Sequence, residues 1–175
     1  ADDIPSLIFT LIVSGSLSSA FIPVFIKYFQ KDENHAWSLA SEVMNTSLVG
    51  IGAITVVLWF SADYVAGNIL ARSSSLSASE VQLLANLMKV LMVAQFGFLF
   101  SSYFTSILQS FKRFIIPALA PVFMNLGVII FILLFTPELG IYAPAYGTVF
   151  GAFVHMLFQL PFVIKSGFKY SPKIL

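Results

Sequence analysis

An all-α membrane protein with five transmembrane helices is the fold class this sequence predicts, and three observations carry that reading. First, the 175 residues are 58% hydrophobic and only 10% charged, with a mean hydropathy of +0.93, whereas a soluble domain carries about a quarter charged residues. Second, five windows, 4–26, 43–62, 90–111, 114–137 and 140–164, contain no Asp, Glu, Lys or Arg, and each is long enough to cross about 30 Å of hydrocarbon at about 1.5 Å per helical residue. Third, the windows are continuously apolar and about twice the roughly ten residues of a barrel strand, so each closes its own backbone hydrogen bonds as a helix. Spans are expected at about 4–26, 43–62, 82–110, 114–136 and 141–164. The same composition excludes other classes. A net charge of +1 provides no cationic face for nucleic acid, and the absence of cysteine removes disulfides, cysteine zinc sites and thiol nucleophiles.

The first expected span follows Asp2 and Asp3 rather than a basic stretch and holds Pro23, so it is not a signal peptide. The opening Ala-Asp-Asp-Ile-Pro, without an initiator Met, reads as an entry in mid-protein, and a fragment is expected. Within this span Ser14, Gly15 and Ser18 belong to a run of small residues. Such a run lets helices approach closely; the alternative is a thinned, bendable segment lining a polar cavity, with Pro23 supplying a kink. Residues 31–42 read as a short cytoplasmic connector with Trp37 at headgroup level, and the second span follows.

Residues 63–80 read as a loop, ending in Ser77 followed three residues later by Glu80, a helix-capping pattern that starts the third helix near Ala78. Lys89 in that helix has apolar neighbours on both sides. A lone ammonium in lipid is costly, so Lys89 either snorkels to the surface or faces a cavity, where it would suit an anionic substrate. Lys112 and Arg113 mark the cytoplasmic edge before the fourth helix, where Pro117 is ordinary helix entry and Pro121 should bend the helix. Asn125 is read as an interhelical hydrogen-bond partner or a substrate contact. In the fifth helix His155 and Gln159 lie one turn apart and are read as packing against neighbours; with His35 the only other histidine, no metal site is expected. No Ser-His-Asp set, P-loop, GxGxxG or paired membrane carboxylates is present, and Glu138 and Asp63 fall outside the expected spans. A transporter rather than an enzyme is the expectation.

Orientation follows from charge. Lys27, Lys31, Lys112, Arg113, Lys165, Lys169 and Lys173 fall on one side of five crossings, which the positive-inside rule places in the cytoplasm, with Ala1 outside and Leu175 inside.

The order of motifs carries a family resemblance. Ile4-Pro5, Gly15 three residues before Ser18, and Ala20-Phe21-Ile22-Pro23-Val24 resemble IPN…EGAFSQAFVPV. Ile107 to Phe114 and Pro117-Ala118-Leu119-Ala120-Pro121-Val122 resemble ILN…RF…PALAPV. Ala145-Tyr146-Gly147, Gly151, Gln159-Leu160-Pro161-Phe162 and Gly167-Phe168 resemble AWG…GG…QLP…G. The set is similar to the MurJ (MviN) lipid II flippases of the multidrug/oligosaccharidyl-lipid/polysaccharide exporter superfamily and spans almost the whole chain.

The resemblance implies part of the N-terminal lobe of a MurJ-like (MATE-like) bundle, helices two to six of about fourteen, in a bacterial cytoplasmic (inner) membrane. It also implies alternating access around a cationic cavity that takes a polyprenyl-diphosphate-linked glycan in cell-wall synthesis, with membrane lipids and the remaining helices of the parent protein as partners. Cations suit the dense charge of a diphosphate. No cofactor is identified, and neither a coupling ion nor a role for the membrane potential is assigned. The family's arginine pair stands here as Phe9-Thr10, its acidic residue before the glycine as Ser14, and a nearby proline as Val93. Lys89 falls where the family commonly carries a basic residue. The substrate-binding candidates are therefore Lys89, Ser14, Gly15, Ser18 and Asn125, with Lys112 and Arg113 as edge anchors. Export of another polyprenyl-linked oligosaccharide, or a non-transporting scaffold of envelope synthesis, are the alternatives.

Overall fold

The computed structural model describes residues 17–70 and 76–173, and within them no strand occurs. The chain runs through α1 (Leu17–Phe29), α2 (Glu33–Val65) with a π-helical turn (Ala66–Leu70), α3 (Ala78–Ser110), α4 (Ile115–Leu139), a 3₁₀ turn (Gly140–Tyr142) and α5 (Ala143–Ile164). Expected features at residues 4–16, among them Ser14 and Gly15, lie outside the described residues, as do Ser73, Ser74 and Ser75. Ser18 is placed on α1 by its backbone alone.

The all-helical class stands, and the described residues carry fewer membrane-length stretches than the five spans expected. Among the described residues three continuous helical stretches, not five, are long and apolar enough to cross a membrane: Glu33–Ile69, Ala78–Ser110 and Ile115–Ile164. Two causes account for the difference. The third stretch is 50 residues of helix that folds back at Gly140, and the described apolar part of the first expected span is only Ala20–Phe29.

Local chemistry sets the helix ends. Asp32 caps α2 by accepting from Asn34 N at 2.9 Å and His35 N at 3.2 Å, a device generally contributing about 1 kcal/mol. Because that cap lies at residue 32, the expected connector 31–42 is mostly helix. Trp37 is only 1% exposed, buried among Phe25, Phe29, Phe111 and Phe168. Ser77 and Glu80 form a reciprocal capping box at the start of α3, with Ser77 N donating to Glu80 Oε2 at 2.7 Å. At its other end α3 closes with Lys112 N donating to Gln109 O and Arg113 N to Leu108 O, both 2.9 Å. Lys112 takes the left-handed conformation (φ 58°) that this ending requires. At the fold-back, Gly140 has φ 52° and ψ −126°, a region that favours glycine.

Packing follows small residues. α4 and α5 form an antiparallel hairpin in which Phe123 stacks on Phe158 and Phe131 meets Phe150. A Cβ on Gly151 would stand 2.9 Å from Met124 O, so only glycine permits this approach. α5 lies parallel to α3, with Gly97 against Ala152. α3 is the central helix, touching α1, α2 and α5. Ala120 and Gly127 are the only buried residues of α4, whose outer face exposes Ile115, Ile129, Leu133 and Leu134. That is the pattern of a helix whose solvent is lipid or other apolar helices.

Candidate functional site

Lys89 is the expected site residue that the structure resolves most informatively. It sits eleven residues into α3, about 17 Å along the helix. Its ammonium neither snorkels free nor stands alone in a cavity: Lys89 Nζ donates to Asp63 Oδ2 at 3.0 Å. The placement of Asp63 in a loop outside the spans is corrected by the helix itself, since α2 runs to Val65 and carries Asp63 beside the antiparallel α3. Asp63 is the missed partner. Counting charge-free windows removes a carboxylate from a span by construction, and the signal that could have found it is two opposite charges near the same ends of consecutive antiparallel helices.

The pair is embedded in a polar chain. Gln82 Nε2 donates to Asp63 Oδ1 at 3.0 Å and to Asn86 Oδ1 at 3.4 Å, and Asn86 Nδ2 reaches the Tyr142 hydroxyl at 3.4 Å. Asp63 therefore connects α2 to α3, and Tyr142 extends the chain to the turn between α4 and α5. Below the pair, Ala62, Val65, Ala66, Ala85, Met88 and Met92 make a small apolar core. The side chains of Lys89 and Asp63 are 22% and 57% exposed, so the pair is within reach of an external anion. A diphosphate offers more charge and more acceptor oxygens than one carboxylate, and exchange of Lys89 from Asp63 to such a group is the chemistry this arrangement supports.

The other expected residues do not join it. Asn125 is exposed on α4, and Lys112 and Arg113 lie at the turn between α3 and α4, at the end of the bundle away from Lys89. At that end a cleft of about 340 Å³ opens between the start of α2 and the C-terminal tail, lined by Asp32, His35, Trp37, Lys169, Tyr170 and Lys173. Lys169 Nζ there donates to Asn34 Oδ1 at 3.2 Å. His155 and Gln159, read as packing residues, meet Ser101 and Thr105 of α3 in a buried hydrogen-bonded cluster. Gln95 is buried in α3 with its Oε1 lacking a hydrogen-bond partner. No group of three or more His, Asp or Glu side chains that could hold a metal ion occurs among the described residues.

Long apolar helices packed through glycine and alanine, with a half-exposed ion pair and buried amide–hydroxyl clusters between them, define a polytopic helical membrane protein. Within that class the assignment is specific: the sequence profile of the "Lipid II flippase MurJ" family matches residues 1–175, and the chain belongs to that family. Relatives include the "Probable lipid II flippase MurJ" of Borreliella burgdorferi, 29% identical over 97% of this chain and 33% of the relative. The protein of the same description from Buchnera aphidicola subsp. Acyrthosiphon pisum is 30% identical over 93% of this chain and 32% of its own length. That of Vibrio cholerae is 28% identical over 99% and 35%. The structure of "Lipid II flippase MurJ, inward closed conformation" superposes with a TM-score of 0.75 at 23% identity, covering 99% of this chain and 36% of that one, which shows a shared fold. The chain thus spans about a third of the length of the relatives it matches.

Proposed function

We propose that this chain is the portion of a lipid II flippase that offers Lys89 to the diphosphate of a polyprenyl-linked peptidoglycan precursor, which the whole protein moves across the bacterial cytoplasmic membrane by alternating access. The observation that carries the reading is the Lys89–Asp63 pair: a cation on a membrane-length helix, held at 3.0 Å by a carboxylate more exposed than itself, in a chain whose family is that of the lipid II flippases. Asp63 keeps the ammonium paired while the site is empty, which avoids an isolated charge in low dielectric, and the diphosphate takes its place.

The arrangement in the membrane is part of the proposal. α4 and α5, 25 and 22 residues long, each exceed the roughly 20 residues of one crossing. The chain then crosses five times, counting α1 with the residues before it. Lys27, Lys31, Lys112, Arg113, Lys165, Lys169 and Lys173 lie in the cytoplasm with the Leu175 end, and Asp63 and Lys89 toward the outer face with the Ala1 end. These 175 residues contain no cysteine, so a single cysteine placed among them is the one added label in that region. In intact cells a membrane-impermeant maleimide should label Glu138→Cys and not Lys169→Cys.

Function is tested by complementation of a flippase-depleted bacterium with the full-length protein. Wild type and Lys89→Arg should restore growth and Lys89→Ala should not. Full rescue by Lys89→Ala would remove Lys89 from the mechanism. Failure of the wild type despite normal insertion would favour a scaffold over a transporter.

A further inference from the structure

We propose that His155 is a proton-binding site between α3 and α5, and that the hydrogen bond between Ser101 and His155 reverses when it is occupied. The site lies apart from the Lys89–Asp63 pair and stands without it.

The direction of the chain is fixed by its carbonyls. Gln159 is fully buried, and its Nε2 lies 3.3 Å from Ser101 O and 3.4 Å from His155 O. Both of those atoms can only accept, so the amide nitrogen must face them and the amide cannot be flipped. Gln159 Oε1 therefore accepts from Thr105 Oγ1 at 2.9 Å, and the two Nε2 hydrogens are shared between Ser101 Oγ, at 2.6 Å, and the two carbonyls. Ser41, Ser106 and Ser110 each give their hydroxyl hydrogen to the carbonyl four residues back. Ser101 does not; its hydroxyl meets His155 Nδ1. In the proposed unprotonated state the order Thr105, Gln159, Ser101, His155 ends on an accepting Nδ1, with the ring hydrogen on Nε2. That Nδ1 lone pair is where a proton adds, displacing the Ser101 hydroxyl hydrogen, and no covalent bond breaks.

Once the ring is an imidazolium, Nδ1–H donates to Ser101 Oγ. Ser101 then accepts from both His155 and Gln159, and its own hydrogen turns to the carbonyl four residues back, that of Gly97, as the hydroxyls of Ser41, Ser106 and Ser110 already do. Gly97 packs closely against α5, a Cβ there standing 3.0 Å from Ala152, so the rearrangement falls on a close contact between α3 and α5. The ring is half-buried and keeps an accessible side. Among the described residues, the charged and titratable groups on the elements packed against it are distant. On α3, Lys89 is twelve residues from Ser101, about 18 Å of helix, and the Tyr103 hydroxyl is turned to Ser47 on α2 at 3.1 Å. On α4 the one carboxylate, Glu138, lies at the C-terminal end, and on α5 Tyr146 and Lys165 are nine and ten residues away, about 14 and 15 Å. A proton taken here therefore places a charge inside the bundle with no carboxylate beside it among the described residues, a position at which ionisable groups are generally functional.

The test is ¹⁵N-histidine NMR of the protein in lipid nanodiscs from about pH 8 to about pH 4, the range over which an imidazole titrates, with exposed His35 assigned by His35→Gln as the internal reference. At the alkaline end His155 should carry its hydrogen on Nε2 alone. On acidification Nδ1 should move to its protonated shift, and the Gln159 side-chain amide should follow with the same midpoint. His155→Gln should abolish that amide movement, and Ser101→Ala should raise the Nδ1–H tautomer in the neutral ring. The wild-type titration needs no substitution to be decisive. An Nδ1–H tautomer at the alkaline end, no titration across the range, or a Gln159 amide that stays still while His155 titrates would each overturn the proposal.

Discussion

The two ends of the bundle are built on different principles. At the basic end Trp37 is packed against Phe25, Phe29, Phe111 and Phe168 and donates from Nε1 to Glu33 at 3.2 Å. The tail is clipped to the same helix: Asn45 Nδ2 donates to Lys173 O at 2.7 Å and Ser171 O at 3.2 Å, and the Tyr170 hydroxyl donates to Asn45 Oδ1 at 3.0 Å. At the opposite end the core is alanine, valine and methionine, and a half-exposed ion pair ties α2 to α3. Large rigid rings bury much area and fix geometry, whereas methionine adapts and an exposed ion pair contributes little to stability. The aromatic end is thus built as an anchor, whereas the Asp63–Lys89 end is held by adaptable side chains and a half-exposed ion pair.

The largest stability effect should come from the anchor. Trp37→Ala should lower stability by about 3–5 kcal/mol, the usual cost of emptying a buried large aromatic site, read as thermal unfolding in nanodiscs. An effect no larger than that of Asp63→Asn would erase the contrast between the ends. Next, Asn45→Ala removes the amide that holds two tail carbonyls and should cost about 1–2 kcal/mol. Hydrogen exchange should rise at residues 170–173 while α3 and α5 keep their protection. The smallest effect should be a gain: Lys112→Gly relieves a left-handed non-glycine residue and should add about 0.5–1 kcal/mol, and a loss would mean that the lysine makes a compensating contact at the helix end.

Much of this architecture was legible in the sequence because apolar windows mark where a helix can lie in lipid. Helix ends were less so. A charge-free window stops at the first charged residue, but Glu33 and Glu42 ride on a helix that continues past them, and Trp37 is buried by rings from three other segments that no local pattern announces. The capping box at Ser77 was readable because its chemistry spans four residues. For the site, Lys89 stood out as an anomaly among apolar neighbours, whereas Asp63 looked like the start of a loop. His155 and Gln159 showed their one-turn spacing, yet their pairing with Ser101 and Thr105 joins residues 54 apart and exists only once α3 and α5 lie side by side.

The central claim is that Lys89 is shared between Asp63 and the diphosphate of a lipid-linked substrate. It is tested most directly by binding of undecaprenyl diphosphate to the full-length protein in wild-type, Asp63→Asn and Lys89→Ala forms. The account predicts opposite signs: Asp63→Asn frees the ammonium and tightens binding several-fold, and Lys89→Ala weakens it about tenfold or more, the equivalent of about 1.4 kcal/mol or above. Weakening of binding by both substitutions to the same degree would show that the pair only holds α2 to α3, and the account would be wrong.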